Sequence, residues 1–275
     1  MKIKILLGIL FFTTLVAEAQ NGIEEYLGDE SAFYAATKQV NQFFRRFNGE
    51  ENLSGDRYFE SDSLYRDSGL RKKYLQVLYD ERNQKIKSSL KSSFMEEMVD
   101  TQPAFLDVHG GEWFAEVNAT FLYKGKVEKA ILFLKLQEEK VGSKWVLTKA
   151  YFDPFHLIFT KDSTNQSFLH PLSHELSFMN LRKAFKDQHK VEHYAERDFN
   201  PDHLTLFLYE MKKGEIKFKT INQVKFHFFQ LDSWYFQLSQ FNRPGFNTGW
   251  LISDLARVTE KEKEGLLKFI YYEDQ

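Results

Sequence analysis

Near residue 100 the spacing of apolar side chains switches from threes and fours to twos, and this switch fixes the order in which helices and strands occur. Upstream, Phe33, Ala36, Val40, Phe43, Phe44 and Phe47 recur at helical spacing and predict a helix over 31–47. Tyr74, Leu75, Leu78 and Tyr79 predict a second over 70–82; Ile86, Leu90, Phe94 and Met98 predict a third over 85–99. Downstream, Trp113, Ala115, Val117, Ala119, Phe121 and Tyr123 alternate with Glu116, Asn118 and Thr120, the pattern of a half-buried strand. Lys124-Gly125-Lys126 turns it into a strand over 127–136, and Val141-Gly142-Ser143 turns that into one over 145–152. Asp153-Pro154 ends the meander, because proline cannot donate into a sheet ladder. Helices followed by an antiparallel meander predict an α+β fold, with the helices packed on a curved sheet.

Beyond a polar, turn-prone stretch the same order recurs in smaller form. Ser173 is placed to cap a helix carrying Leu176, Met179 and Phe185, and strands are expected over 203–211, 214–221, 224–231, 233–242 and 248–258. On the second of these, Ile216 and Phe218 are expected to face inward while Lys217 and Lys219 form the wet face. Thr259-Glu260-Lys261-Glu262 is a capping box that opens a last helix. The expected division is a leader over 1–19, one domain over 20–159, a linker over 160–168 and a second, smaller helix-plus-sheet domain over 169–275.

The leader has its own logic. Lys2 and Lys4 precede an unbroken apolar run over 5–12, and Ala17-Glu18-Ala19 supplies the small residues at a cleavage point before Gln20. This is the pattern of a secretory signal peptide, and it points to a periplasmic or secreted protein with no membrane span in the mature chain. The chain has no cysteine, so the core must hold without disulfides, and 28 Phe with 13 Tyr supply the apolar area to do so. A formal charge of −2 gives no electrostatic reason to expect a nucleic-acid partner.

Five of the eight histidines fall between His170 and His203. His189-Lys190-Val191-Glu192-His193 has the His-x-x-Glu-His spacing. On a helix it would put two imidazoles on one face to hold Zn²⁺, with Glu192 beside them to activate a bound water. A third ligand would have to come from Glu196 or His203, with Glu264 and Glu273 more distant; surface or capping histidines are the plainer reading. No Gly-x-Ser-x-Gly elbow and no glycine-rich phosphate loop is present, the 14 glycines being scattered through turns, so no cofactor and no complete catalytic set is expected. Asp107, Tyr123, Asp153 and His156 fall on or beside the first sheet. Among the aromatics, Phe226, Phe228, Trp234, Phe236 and Phe241 are expected in the core. Tyr151, Phe229 and Tyr235 fall on the opposite parity, where together they would form an exposed platform for a protein, peptide or glycan partner. Arg243-Pro244-Gly245-Phe246-Asn247 adds a loop tip with a cation, Arg243, beside an aromatic, Phe246.

The element order over 31–158, closed by Gly142-Ser143-Lys144-Trp145-Val146-Leu147, resembles the nuclear transport factor 2-like cone, the fold of ketosteroid isomerase. The second half resembles a cystatin-like unit or a reduced cone. Proteins of the cone fold include enzymes, transport factors and envelope components, so the resemblance implies an architecture with a concave pocket rather than a reaction. Its enzymes often use an Asp and a Tyr in that pocket for proton transfer, so the resemblance makes Asp107, Tyr123, Asp153 and His156 the candidates for that role. The leading expectation is an exported, non-catalytic binding or assembly module; the alternative is a small-pocket or zinc-assisted hydrolase using the 170–203 region.

Overall fold

A computed structural model describes residues 40–52, 54–140, 142–156, 181–186, 191, 193–196, 199, 201–245 and 247–270. The leader expected over 1–19 and the linker expected over 160–168 lie outside the described residues. The class is α+β, as expected. Helices α1 (Val40–Asn48), α2 (Ser68–Val77) and α3 (Ser88–Glu96) come first, and a π-helical turn over Glu97–Thr101 extends α3. The meander follows as β1 (Trp113–Tyr123), β2 (Lys126–Glu139) and β3 (Gly142–Phe152). Then come α4 (Asp153–His156), α5 (Leu181–Ala184), α6 (His203–Lys212), β4 (Ile216–Phe228), β5 (Trp234–Phe241), β6 (Gly249–Arg257) and α7 (Glu260–Ile270). The strands form a six-stranded antiparallel sheet in the order β3-β2-β1-β4-β5-β6. None of the described helices is long and apolar enough to cross a membrane.

The chain divides into two compact units that alternate along it. One comprises described residues up to Gly110 together with Phe228–Arg257; the other comprises Gly111–His227 together with the chain from Val258 onward. In the first unit α1 presents Phe43, Phe44 and Phe47 at helical spacing, and all three are buried. They meet a stack in which Phe228 and Phe236 lie 4.6 Å apart and nearly parallel, with Phe94 of α3 set edge-on to Trp234 at 5.0 Å. Asn48, buried at the end of α1, exchanges two hydrogen bonds with the backbone of Leu106, so a side-chain amide does the work of a strand neighbour there. Glu51, wholly buried, accepts from Gln42, Arg45 and Arg46 at 2.9–3.0 Å and ties the helix to the turn after it.

In the second unit β1 and β2 are joined through Lys124 and Gly125 at φ 47° and 82°, the paired left-handed geometry that a two-residue hairpin requires. The pleat puts Ala119, Phe121 and Tyr123 on one face with Ala130, Ala150 and Phe152, and Phe155 and Phe207 close over them. Phe207 belongs to α6, and this corrects the strand expected over 203–211. Asp202 accepts from the backbone of Leu204 and Thr205 and caps a helix, which buries Phe207 edge-on against Phe121 and Phe152. A second correction follows it: the two strands expected over 214–221 and 224–231 are one, β4. Its inward parity also fails at Phe218, which is 57% exposed while Ile216 is buried. At the far end the capping box forms as read. The Thr259 amide and hydroxyl both donate to the Glu262 carboxylate at 2.8 Å, and the Glu262 amide donates back to the Thr259 hydroxyl at 3.3 Å.

Candidate functional site

A buried polar constellation grows out of the β1 alternation. Glu116, Asn118 and Thr120 point to one face of the strand, in the cross-strand rows of Phe133, Ile131 and Lys129 on β2. β4 brings Lys225 and His227 to Glu116 and Asn222 to Thr120. Glu116 and His227 are 8% and 7% exposed, with His227 Nε2 2.9 Å from one carboxylate oxygen. Asn118 donates to the other oxygen at 2.8 Å and the Lys225 ammonium stands 3.5 Å from it. Thr120 and the Asn222 amide are hydrogen-bonded at 2.8 Å. Burial alone pushes the Glu116 carboxyl upward. The His227 hydrogen bond, the Lys225 charge and the Asn118 hydrogen bond outweigh that and hold it at about 2, well below its ordinary 4.5.

A carboxylate held this firmly by three partners is ionised near neutral pH; it orients the imidazole and does not itself exchange protons there. Its energetic consequence is acid sensitivity. A folded-state pKa below the unfolded one contributes stability that is complete above about 4.5 and is lost as the pH falls toward about 2. Glu116→Gln is expected to lower stability at pH 7 and to flatten the decline between pH 5 and pH 2. Urea midpoints measured across that range check both; parallel wild-type and variant curves overturn the assignment.

The platform expected from Tyr151, Phe229 and Tyr235 is not exposed as one surface. Phe229 and Tyr235 are buried, with ring centroids 5.1 Å apart. Tyr151 is half-buried and serves the end of α7: its hydroxyl donates to the Phe269 carbonyl at 2.7 Å and its ring stacks on Phe269 at 5.1 Å. Lys149 and Thr148 reach the Lys268 and Ile270 carbonyls, so β3 side chains cap a helix terminus whose last carbonyls lack intrahelical donors. Arg243 is also engaged internally. Its guanidinium meets Asp80 at 2.7 Å and the Asn247 carbonyl at 2.6 Å, hydrogen-bonds the Asn247 side chain, and covers the Phe241 ring at 4.7 Å. Phe246 lies outside the described residues, as do His189 and Glu192 of the expected zinc pair; His193 is described. Among the described residues, no three His, Asp or Glu side chains are placed to share a metal ion. Of the proton-transfer candidates, Tyr123 is core against Phe152 and Phe155, Asp107 closes a turn by accepting from the His109 amide, and Asp153 opens α4.

The tie between Arg243 and Asp80 belongs to a longer seam in the first unit. The chain leaves α2 at Leu78, earlier than the helix expected to residue 82, because Leu78 and Asp80 pair with the Ile252 backbone at 2.8 and 3.0 Å. Asn247 accepts from the Glu81 amide and donates to the Tyr79 carbonyl, while Asn83 donates to the Ser253 carbonyl. This fixes Tyr79 beside a cleft of about 240 Å³ lined also by Leu75 and Gln76 of α2 and by Ser88, Lys91, Ser92 and Met95 of α3. No protein-family model, no curated protein and no solved structure matches the chain. The chemistry therefore has to be read from these groups directly. Neither the Glu116–His227 pair nor the Tyr79 cleft was singled out from sequence. The Glu-x-Asn-x-Thr row and Lys225-x-His227 were the visible signal for the first; nothing local signalled the second.

Proposed function

We propose that the chain is an exported, non-catalytic binding or assembly module. Export to the periplasm or outside the cell is supported by the basic-apolar-small order of residues 2–19. The binding role rests on one observation: the first half of β4, residues 217–223, is exposed at every position, with Phe218 57% exposed between Lys217 and Lys219 and Ile221 54% exposed two residues beyond them. Exposed apolar side chains on both faces of an extended, basic segment are costly to leave in water and suit contact with an acidic, partly apolar protein or peptide surface. The resemblance to the cone fold supports a binding role equally well, since that architecture serves carriers and assembly factors.

Phe218→Asp with Ile221→Asp tests the reading. The double variant is expected to stay folded, losing only the edge-on contact of Phe218 with the buried Phe121 ring at 5.8 Å, and to lose retention of the envelope partner that wild-type bait retains under the same wash. Equal retention by both baits, or no partner for either, overturns the proposal.

A further inference from the structure

Among the described residues, the exposed start of β4 is also a free edge of the sheet. β4 lies between β1 and β5, and it has 13 residues where β5 has 8. The two are joined by the short connection over 229–233, and in such a hairpin the residues nearest the turn pair first. Residues 216–220 therefore extend past the end of β5. Their other side is taken: Asn222 donates to Thr120 at 2.8 Å, and the Lys124 amide donates to the Glu215 carbonyl at 3.3 Å, so β1 runs beside this stretch. Along the side away from β1, alternate residues turn an N–H and a C=O to water, and another strand can add to them. The stretch lies wholly within the second unit.

Resting on the reading of β4 as the docking surface, we infer that the partner adds along residues 216–220 as a further strand, and that this strand alternates acidic and apolar side chains. The pleat sets Lys217 and Lys219 on one face of β4 and Phe218 on the other. Both lysines are exposed, whereas the neighbouring Lys213 is already paired with Glu210 at 3.0 Å. On an added strand, residues opposite Lys217 and Lys219 gain from carrying a carboxylate. The residue between them gains from an apolar group beside Phe218, which itself rests edge-on against Phe121 at 5.8 Å. A second copy of the chain is the wrong occupant. Antiparallel pairing of two such edges centred on Phe218 would set Lys217 against Lys219 on both sides, and like charges directly opposite are destabilising. The lysines thus block self-addition while admitting an acidic strand. Backbone hydrogen bonds supply the affinity and the charge pattern selects the partner.

The test titrates the folded, ¹⁵N-labelled chain with an end-blocked octapeptide of alternating Glu and Val, and with its Lys-Val counterpart. The Glu-Val peptide is expected to shift the amides of residues 216–220 saturably, while the Lys-Val peptide leaves them in place. At saturation it should also slow hydrogen exchange of the outward-facing amides in this stretch by about tenfold or more, because they become bonded to the added strand. Lys217→Glu with Lys219→Glu is expected to keep the wild-type melting temperature, both positions being exposed, and to reverse the preference: Glu-Val binding falls about tenfold and Lys-Val binding appears. The inference fails if the Glu-Val peptide at millimolar concentration moves none of these amides, if the Lys-Val peptide moves them equally, or if the charge-reversed chain keeps the wild-type preference. It fails also if the peptide-free chain self-associates through these residues. Shifts without slowed exchange would remove strand addition and leave β4 as a docking surface, whereas equal partner retention by the Phe218→Asp, Ile221→Asp bait would remove the surface itself.

Discussion

Phe236→Ala is expected to cost about 3–5 kcal/mol, the range for deleting a fully buried ring that its neighbours cannot replace. Phe236 is wholly buried and stands at the meeting point of four rings: Phe228 stacked at 4.6 Å, and Phe43, Phe94 and Phe47 at 6.1–6.2 Å. These four rings come from two helices and one strand, so none can slide into the gap without breaking its own packing. In a chain of this size the loss corresponds to a fall of roughly 10 °C in melting temperature. Calorimetry of the variant against wild type measures it. Phe236→Leu, which keeps most of the volume, should lose well under half as much; equal losses would mean that ring geometry, not volume, sets the cost.

Arg71→Ala is expected to cost about as much, for a different reason. Arg71 is 1% exposed, yet no carboxylate accompanies its guanidinium among the bonds that hold it. It donates to the Phe47 carbonyl at 3.2 Å and to the Ala104 carbonyl, and lies over the Phe105 ring at 4.3 Å. Burial, with the Arg66 charge second, lowers its pKa to about 10, a measure of how little water reaches it. Truncation leaves a cavity and two carbonyls without that donor, for a loss of about 3–5 kcal/mol. The nearby Gly49 shows how tightly the stem is held: a β-carbon there would come within 2.7 Å of the Arg71 side chain. Arg71→Met fills the space but donates nothing, so urea unfolding should place it between alanine and wild type. Molar salt should leave the ranking unchanged, since buried hydrogen bonds are screened little. A methionine variant as stable as wild type would show that the carbonyl bonds contribute nothing net.

The sequence was legible where local period and local chemistry agree. β1 occupies the residues its alternation marked, and the Thr259–Glu262 box opens α7, because both depend on neighbours a few residues away. The stretch 203–211 was misread because Leu204, Leu206 and Leu208 alternate as a strand would, while Leu204 and Phe207 also lie on one helical face; short apolar runs satisfy both periods. The Asp202 cap was the deciding signal. Phe229 and Tyr235 were misassigned because parity predicts two faces and not what covers each. The candidate sites depend on still longer range. Glu116 meets His227 only because β1 lies beside β4, and Asp80 meets Arg243 only across the seam with β6, contacts that no local pattern encodes.

The alternation of the two units along the chain governs when each can form. As synthesis proceeds from the N-terminus, Phe43, Phe47 and Phe94 are made long before Phe236, the ring on which they converge, and all of residues 111–227 are made in between. The second unit likewise waits for Phe269 to cover Phe133 and Tyr151. Closing such distant contacts is slow, because the entropy of the intervening loop is lost before packing compensates for it. Neither unit can therefore reach its final packing before Phe236 and Phe269 are made, and aromatic surface stays exposed until then. A polypeptide with this wiring remains threadable until those two rings are made, and a threadable chain is what a narrow translocation channel demands.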